Sequence, residues 1–294
     1  MSQATIDNEK MSAADRIHHD VLSFLTADKN PIEGDLRYPD SDQPLPLIVI
    51  CHSFMAFKDW GFFPYMGTYL ARAGFATFTF NFSYNGLEKS GERITNFDKF
   101  ERNTFTRELD DCHTIITGFT KGGVKNDVVD PRKIIFLGHS RGAGIAIVAA
   151  SRYYEIKALV SLSPIATFDR WTDHQKRNWR KYGYLPLASD SSVSPLKLGI
   201  GVLKDLEWNG KEINITDAAS KLALPWLIMH GKMDITVSPR EAEQLYASAD
   251  KTTTELILLD KIGHLYNAST EAEDHYTAFS NILDLIISWL NKYY

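Results

Sequence analysis

Eight apolar runs punctuate this chain, most of them rich in β-branched or aromatic residues and bounded by turn formers: DVLSFLTA, IEGDLRYP, LPLIVICH, FATFTFNF, KIIFLGH, IKALVSLS, PWLIMH and TELILLD. The later runs are almost continuously apolar, which is how strands buried on both faces read. Helical patterns fall between them. FFPYMGTYLARAG follows the third run and stops at a glycine, KFERNTFTRELDDCHTIITGF follows the fourth, and SRGAGIAIVAASRYY follows the fifth. SPREAEQLYASAD opens on a Ser-Pro start signal after the seventh run, and TEAEDHYTAFSNILDLIISWLNKYY closes the chain. Strands alternating with helices predict an α/β fold whose mostly parallel eight-stranded sheet is covered on both faces. The first two runs are joined by a short turn and are expected to pair antiparallel at one edge.

One stretch breaks the rhythm. Residues 168–222 carry Trp, Tyr and charge with no clear strand–helix alternation. A structureless loop of that length is unexpected inside a compact domain. The expected organisation is a single domain over 1–294, with an inserted cap over 168–222 after the sixth strand.

Composition narrows the function classes. The 294 residues are 44% hydrophobic and 23% charged with net charge −5, an ordinary globular balance. No Lys/Arg run of five appears, so nucleic acid is not an expected partner. The opening MSQATIDNEKMSAADRIHHD lacks the apolar core of a secretory signal, and stretches such as AGIAIVAA are too short to span a bilayer. A cytoplasmic protein without membrane partners is expected, with its oligomeric state open, a homodimer included. Cys51 and Cys112 stand alone, read as reduced structural thiols. The pair His18 and His19 has no second ligand cluster at recognised spacing, so no metal and no cofactor are expected.

The fifth run ends in FLGHSRGAG. A serine hydroxyl needs an open presentation and a neighbouring base to act as a nucleophile. Ser140 on a sharp strand-to-helix turn meets the first need; Gly138 and Gly142 relieve the crowding there, and the helix behind aims its N–H groups at the reacting centre. The motif alone also fits a tight turn with an idle serine, so the partners matter.

A carboxylate and a histidine are expected downstream in that order. Asp234 follows the seventh run in MHGKMDITVSP, where a loop reaches the carboxyl edge of a parallel sheet. His264 follows the eighth in LLDKIGHLYN. His264 suits the general base and Asp234 its orienting acid. Asp260, four residues before His264, is a rival acid. His139 and His230 read as packing or supporting groups, and Asp205 and Glu207 fall in the insertion with nothing to fix their geometry. For the oxyanion, the N–H of Arg141 is one expected donor and that of Phe54, in CHSFMAFKDWGFFP, the other. Ser53 stands where a glycine is expected, which leaves the conformation of that loop open.

The ordered set CHSFMAFKDWGFFP, GHSRG, HGKMDITVSP and KIGHLYN resembles the α/β-hydrolase superfamily over nearly the whole chain. FKDWGFF and the mid-sized insertion resemble bacterial cinnamoyl/feruloyl-type esterases and the dienelactone-hydrolase-like and prolyl-oligopeptidase-like small hydrolases. Dienelactone hydrolases proper carry a cysteine nucleophile where this chain has Ser140, and there is no room for the propeller of prolyl oligopeptidases. The resemblance implies a serine hydrolase of small-molecule carboxylic esters, with a peptidase or amidase on the same triad and a non-catalytic binding protein as alternatives. In the insertion, Trp171, Trp179, Tyr182 and Trp208 are expected to form an aromatic cover that binds substrate, or else the insertion's own core.

Overall fold

The computed structural model describes residues 16–88, 93–187, 196–268 and 276–294. The chain runs β1 (Ile17–Leu25), β2 (Pro31–Pro39), β3 (Leu45–Cys51), α1 (Phe63–Arg72), β4 (Ala76–Phe80), α2 (Phe97–Glu101), α3 (Phe105–Thr120), β5 (Val129–His139), α4 (Arg141–Arg152) and β6 (Ile156–Leu162). It continues through α5 (Asp173–Tyr182), β7 (Tyr184–Pro186), β8 (Lys197–Gly199), α6 (Ile200–Asn209) and α7 (Ile215–Ser220). Then come β9 (Trp226–Gly231), α8 (Pro239–Ser248), β10 (Thr254–Leu259) and α9 (Thr277–Leu290). Each of the eight apolar runs is a strand of one sheet, ordered β1-β2-β4-β3-β5-β6-β9-β10. From β4 to β10 the neighbours pair parallel, whereas β1 with β2 and β2 with β4 pair antiparallel.

The two-residue period of a strand divides the core into two layers. Leu47, Val49 and Cys51 of β3 point into the cluster that also holds Ile115 of α3, Ile145 of α4 and Leu245 of α8. Ile48 and Ile50 point the other way, against Met66 of α1 and Ile286 of α9. Both faces of the central strands are therefore sealed, and their C-terminal ends form the one edge where loops from several strands meet. That edge is where open α/β sheets place ligands.

The stretch expected as an insertion, 168–222, holds α5, the small antiparallel β7–β8 pair, α6 and α7; residues 188–195 lie outside those described. Its last helix has a different role. Ile215, Ala218 and Ala219 of α7 are buried between α4 and α8, so α7 is the helix of the β6–β9 crossover rather than part of a separate cap. Residues 1–15, the larger part of the opening MSQATIDNEKMSAADRIHHD in which no secretory signal is expected, also lie outside the described residues.

Candidate active site

β5 ends at His139 and α4 begins at Arg141, leaving Ser140 alone in the turn at φ 56°, ψ −118°. Side-chain-bearing residues rarely take a positive φ, and serine is held there by its neighbours. Its N–H donates to the Leu162 carbonyl of β6 at 2.8 Å. The two glycines are required by crowding, not by their own angles. A Cβ on Gly138 would lie 2.5 Å from Ala143 Cα, and one on Gly142 would lie 2.4 Å from the carbonyl oxygens of Cys51 and His52. The elbow thus presses directly on the end of β3, which brings the loop carrying Phe54 beside it.

Asp234 follows β9, its side chain sealed from solvent. Oδ1 accepts from the N–H groups of Thr236 and Val237, both at 2.9 Å. Oδ2 accepts from His264 Nδ1 at 2.7 Å and lies 3.1 Å from His230 Nε2. Burial pushes this carboxyl up, but the hydrogen bonds from His230, His264 and Val237 outweigh it and hold the group well below the usual carboxylate range. With Nδ1–H engaged by Asp234, the network assigns His264 a free Nε2. His264 and Ser140 line the same cavity, although no hydrogen bond joins their side chains in this structure. Such contacts are often loose before substrate binds.

The other candidates fall into place around this pair. His139 is fully buried and donates from Nε2 to the His264 carbonyl at 2.9 Å, tying the histidine loop to the elbow. Burial, reinforced by His264, pushes its pKa down to about 3, so it stays neutral. His230 bonds the Val237 carbonyl at 3.0 Å and supports Asp234 from below. Asp260 points away, exposed and paired with Lys232 at 2.8 Å. Asp205 caps the start of α3 through Thr106, and Glu207 pairs with Arg180 on the surface. Among the described residues, no group of three or more His, Cys, Asp or Glu is placed to hold a metal ion.

Comparison with known proteins decides the fold. A family model described as alpha/beta hydrolase fold matches residues 46–185. GrgF from Penicillium sp. sh18, an alpha/beta hydrolase, superposes with a TM-score of 0.71 at 16% identity, over 94% of this chain and 98% of that one. The chain has the α/β-hydrolase fold. Est1E from Butyrivibrio proteoclasticus gives a TM-score of 0.65 at 17% identity, over 92% of this chain and 98% of its own. The esterase domain of a Rhodothermus marinus protein gives 0.63 at 16%, over 94% and 98%. In sequence, an uncharacterized 31.7 kDa Escherichia coli protein from a traX-finO intergenic region is 22% identical over 251 residues, 75% of this chain and 83% of that relative.

In this α/β-hydrolase fold the expected oxyanion donors flank the elbow. Phe54 and Arg141 both border the cavity, and neither N–H donates to another described group. Ser53 needs no glycine angles; the left-handed residues of the loop are Met55, at φ 61°, and Gly61, at φ 55°. The loop is pinned from within by His52, whose Nδ1 donates to the Ser53 carbonyl at 2.8 Å and whose Nε2 accepts from Phe82 N–H at 3.3 Å.

Behind Arg141 lies a buried ion pair that its sequence position does not mark. Its guanidinium makes a buried two-point pair with Glu108 of α3, at 3.1 and 2.9 Å, and Asn103 donates to the same carboxylate at 2.8 Å. The Phe54 and Phe105 rings stand 4.9 and 4.5 Å from its central carbon. Nothing in the spacing of Glu108 marks it; it reads as an ordinary helix residue.

The cavity holds about 300 Å³, with Phe105, Ile165, Phe168, Trp171 and Leu265 supplying apolar walls. Of the four aromatics expected to line it, Trp171 does. Trp179 is fully buried edge-on against Trp171, at 5.1 Å between ring centroids, and is core. Tyr182 and Trp208 are 58% and 75% exposed and stand away from the cavity, because α5 and α6 turn those positions outward. Phe105 and Phe168, stacked at 4.3 Å, take the place expected for them.

Proposed function

We propose that this protein is a serine hydrolase of carboxylic esters. The observation that carries the reading is a histidine, His264, held by Asp234 at 2.7 Å and lining one cavity with a serine at φ 56°. The fold, shared with esterases at low identity, supports a hydrolase. In the proposed reaction, Ser140 Oγ bonds to the ester carbonyl carbon while His264 Nε2 takes its proton. The carbonyl electron pair moves onto oxygen, held by the N–H groups of Phe54 and Arg141. Collapse breaks the bond to the alcohol, which leaves with the proton from His264. Water then attacks the acyl-enzyme by the same route, and the acid is released. Asp234 stays ionised throughout, keeping the imidazole in the tautomer that leaves Nε2 free.

The test is labelling by a fluorophosphonate, read by intact mass. One adduct on the wild-type chain and none on Ser140→Ala is the expected result. A folded wild-type protein that takes no adduct overturns the reading in favour of a non-catalytic binding protein. Parallel assays on matched esters and anilides of one acid separate esterase from amidase, with the ester faster.

A further inference from the structure

The two expected oxyanion donors come from different elements, Phe54 from the loop after β3 and Arg141 from the first position of α4. A pair of donors stabilises developing charge only when both are aimed before the reaction begins. The side chains of these two residues meet. The Arg141 guanidinium lies over the Phe54 ring at 4.9 Å, with the Phe105 ring at 4.5 Å. The same guanidinium is locked by Glu108 of α3, through Nε at 3.1 Å and Nη2 at 2.9 Å.

Nothing local asks for an arginine at this position. A cation in the first turn opposes the helix dipole, and Arg141 opens α4. Burial adds a second cost, since the side chains of Arg141 and Glu108 keep only 10% and 6% exposure. A buried ion pair contributes little net stability, and an apolar pair of similar volume often does as well. What an apolar pair cannot do is fix a direction. The two-point contact sets the plane of the guanidinium, and Asn103, just ahead of α3, holds the carboxylate at 2.8 Å. The Phe54 ring rests against that plane. Phe54 is itself 36% exposed, next to the left-handed Met55, and its ring has one further aromatic neighbour, Phe100 at 6.0 Å. The peptide that carries the Phe54 N–H is thus held at two points. The Ser53 carbonyl accepts from His52 at 2.8 Å on one side, and the ring is braced by Arg141 on the other.

We infer that Glu108 is a positioning residue for the oxyanion hole, holding the Phe54 and Arg141 N–H groups converged on one point by fixing the guanidinium between them. The inference rests on the ester-hydrolase reading. Glu108 does not line the cavity and acts through Arg141. With the guanidinium released, the Phe54 loop is free to shift, and the developing charge meets one preset donor in place of two. The ground-state carbonyl oxygen carries less charge and loses less, so the effect falls on kcat more than on KM.

The experiment compares an aryl ester with the matching thionoester on the wild-type protein and on Glu108→Gln. Sulfur accepts hydrogen bonds weakly, so the thionoester draws little from the hole and reports on the rest of the site. Glutamine keeps the shape of Glu108 and removes its charge. In Glu108→Gln the ester kcat is expected to fall about tenfold with KM within about twofold, and thionoester turnover to stay within about twofold. The ester-to-thionoester ratio then drops about tenfold. A role in stability alone lowers the melting temperature and leaves the ratio of the folded enzyme where it was, so an unchanged ratio overturns the proposal. Equal losses on both substrates place the effect on the triad and overturn it too. If Glu108→Gln melts below the assay temperature, Glu108→Gln/Arg141→Met takes its place; it strands no buried charge and keeps the N–H at position 141. The same tenfold drop supports the proposal, and a wild-type ratio in the double variant overturns it. A folded wild type that turns over neither substrate and takes no fluorophosphonate adduct overturns the ester-hydrolase reading, and the role of Glu108 with it. An active, labelled wild type whose ratio survives the substitutions overturns the role of Glu108 alone.

Discussion

Ser140 sits at backbone angles that cost a side-chain-bearing residue about 1–3 kcal/mol. Glycine takes them freely, at about 0.5–1 kcal/mol of extra chain entropy. Ser140→Gly is therefore expected to be more stable than Ser140→Ala by about 1 kcal/mol in denaturant titration, although both lose turnover. Equal stabilities would show that the elbow stores no strain. Asp234 makes a second prediction at this scale. Replacing it with asparagine presents an amide N–H as well as a carbonyl to His264, so the imidazole can flip to the tautomer with Nε2 protonated. Asp234→Asn is expected to lower kcat by on the order of 10⁴-fold with the fold intact. A loss below tenfold would remove Asp234 from the role assigned to it.

Among the elements, α3 has the least ordinary buried face. Beside Leu109, Cys112, Ile115 and Phe119 it buries two carboxyls, Glu108 and Asp111. Glu108 is matched by Arg141, but Asp111 has no cation; its Oδ2 accepts from Ser83 N–H at 2.7 Å and its Oδ1 has no partner. Burial pushes Asp111 up to about 7, against an ordinary value of 3.8. Between those values the folded chain binds a proton that the unfolded chain has released, so this group's contribution to stability falls as pH rises through that window. Asp111→Asn removes the dependence. Thermal melts at pH 5 and pH 8 are expected to show the wild type losing several degrees more than the variant. Parallel slopes would mean that Asp111 is ionised throughout. The neighbouring elbow is an element-level constraint of another kind, since the 2.4 Å approach to the Cys51 carbonyl leaves no room for a side chain at Gly142.

At the scale of the whole molecule, the sheet edge gathers residues from β3, β5, β9 and β10, while α3 and the segment after β6 close the cavity from above. The docking of that segment separates residues of one type into different fates. Trp171→Ala enlarges the apolar cavity, and its preference is expected to shift toward longer acyl chains by about tenfold. Trp208→Ala, on an exposed side chain, is expected to leave kcat/KM within about twofold. A large effect at Trp208 with none at Trp171 would require a different closed arrangement of α5 and α6. Among the described residues, no helix is long and apolar enough to cross a membrane.

The strand-by-strand plan was legible in the chain because burial on both faces demands unbroken apolar runs, and a run such as FATFTFNF has few other readings. Ser140, Asp234 and His264 were legible as candidates because each follows a strand, and parallel strands all end at one edge. The helix α7 was not separated from the insertion before it, since the run ITDAAS is too short to mark a helix, and its Ile215, Ala218 and Ala219 become core only where α4 and α8 lie against them. Glu108 was silent for a related reason. It stands 33 positions before Arg141, and only the packing of α3 on α4 brings carboxylate and guanidinium together. Which tryptophan meets the cavity was likewise decided in three dimensions. Local pattern records whether a side chain is buried, whereas its partner is chosen by how the elements dock.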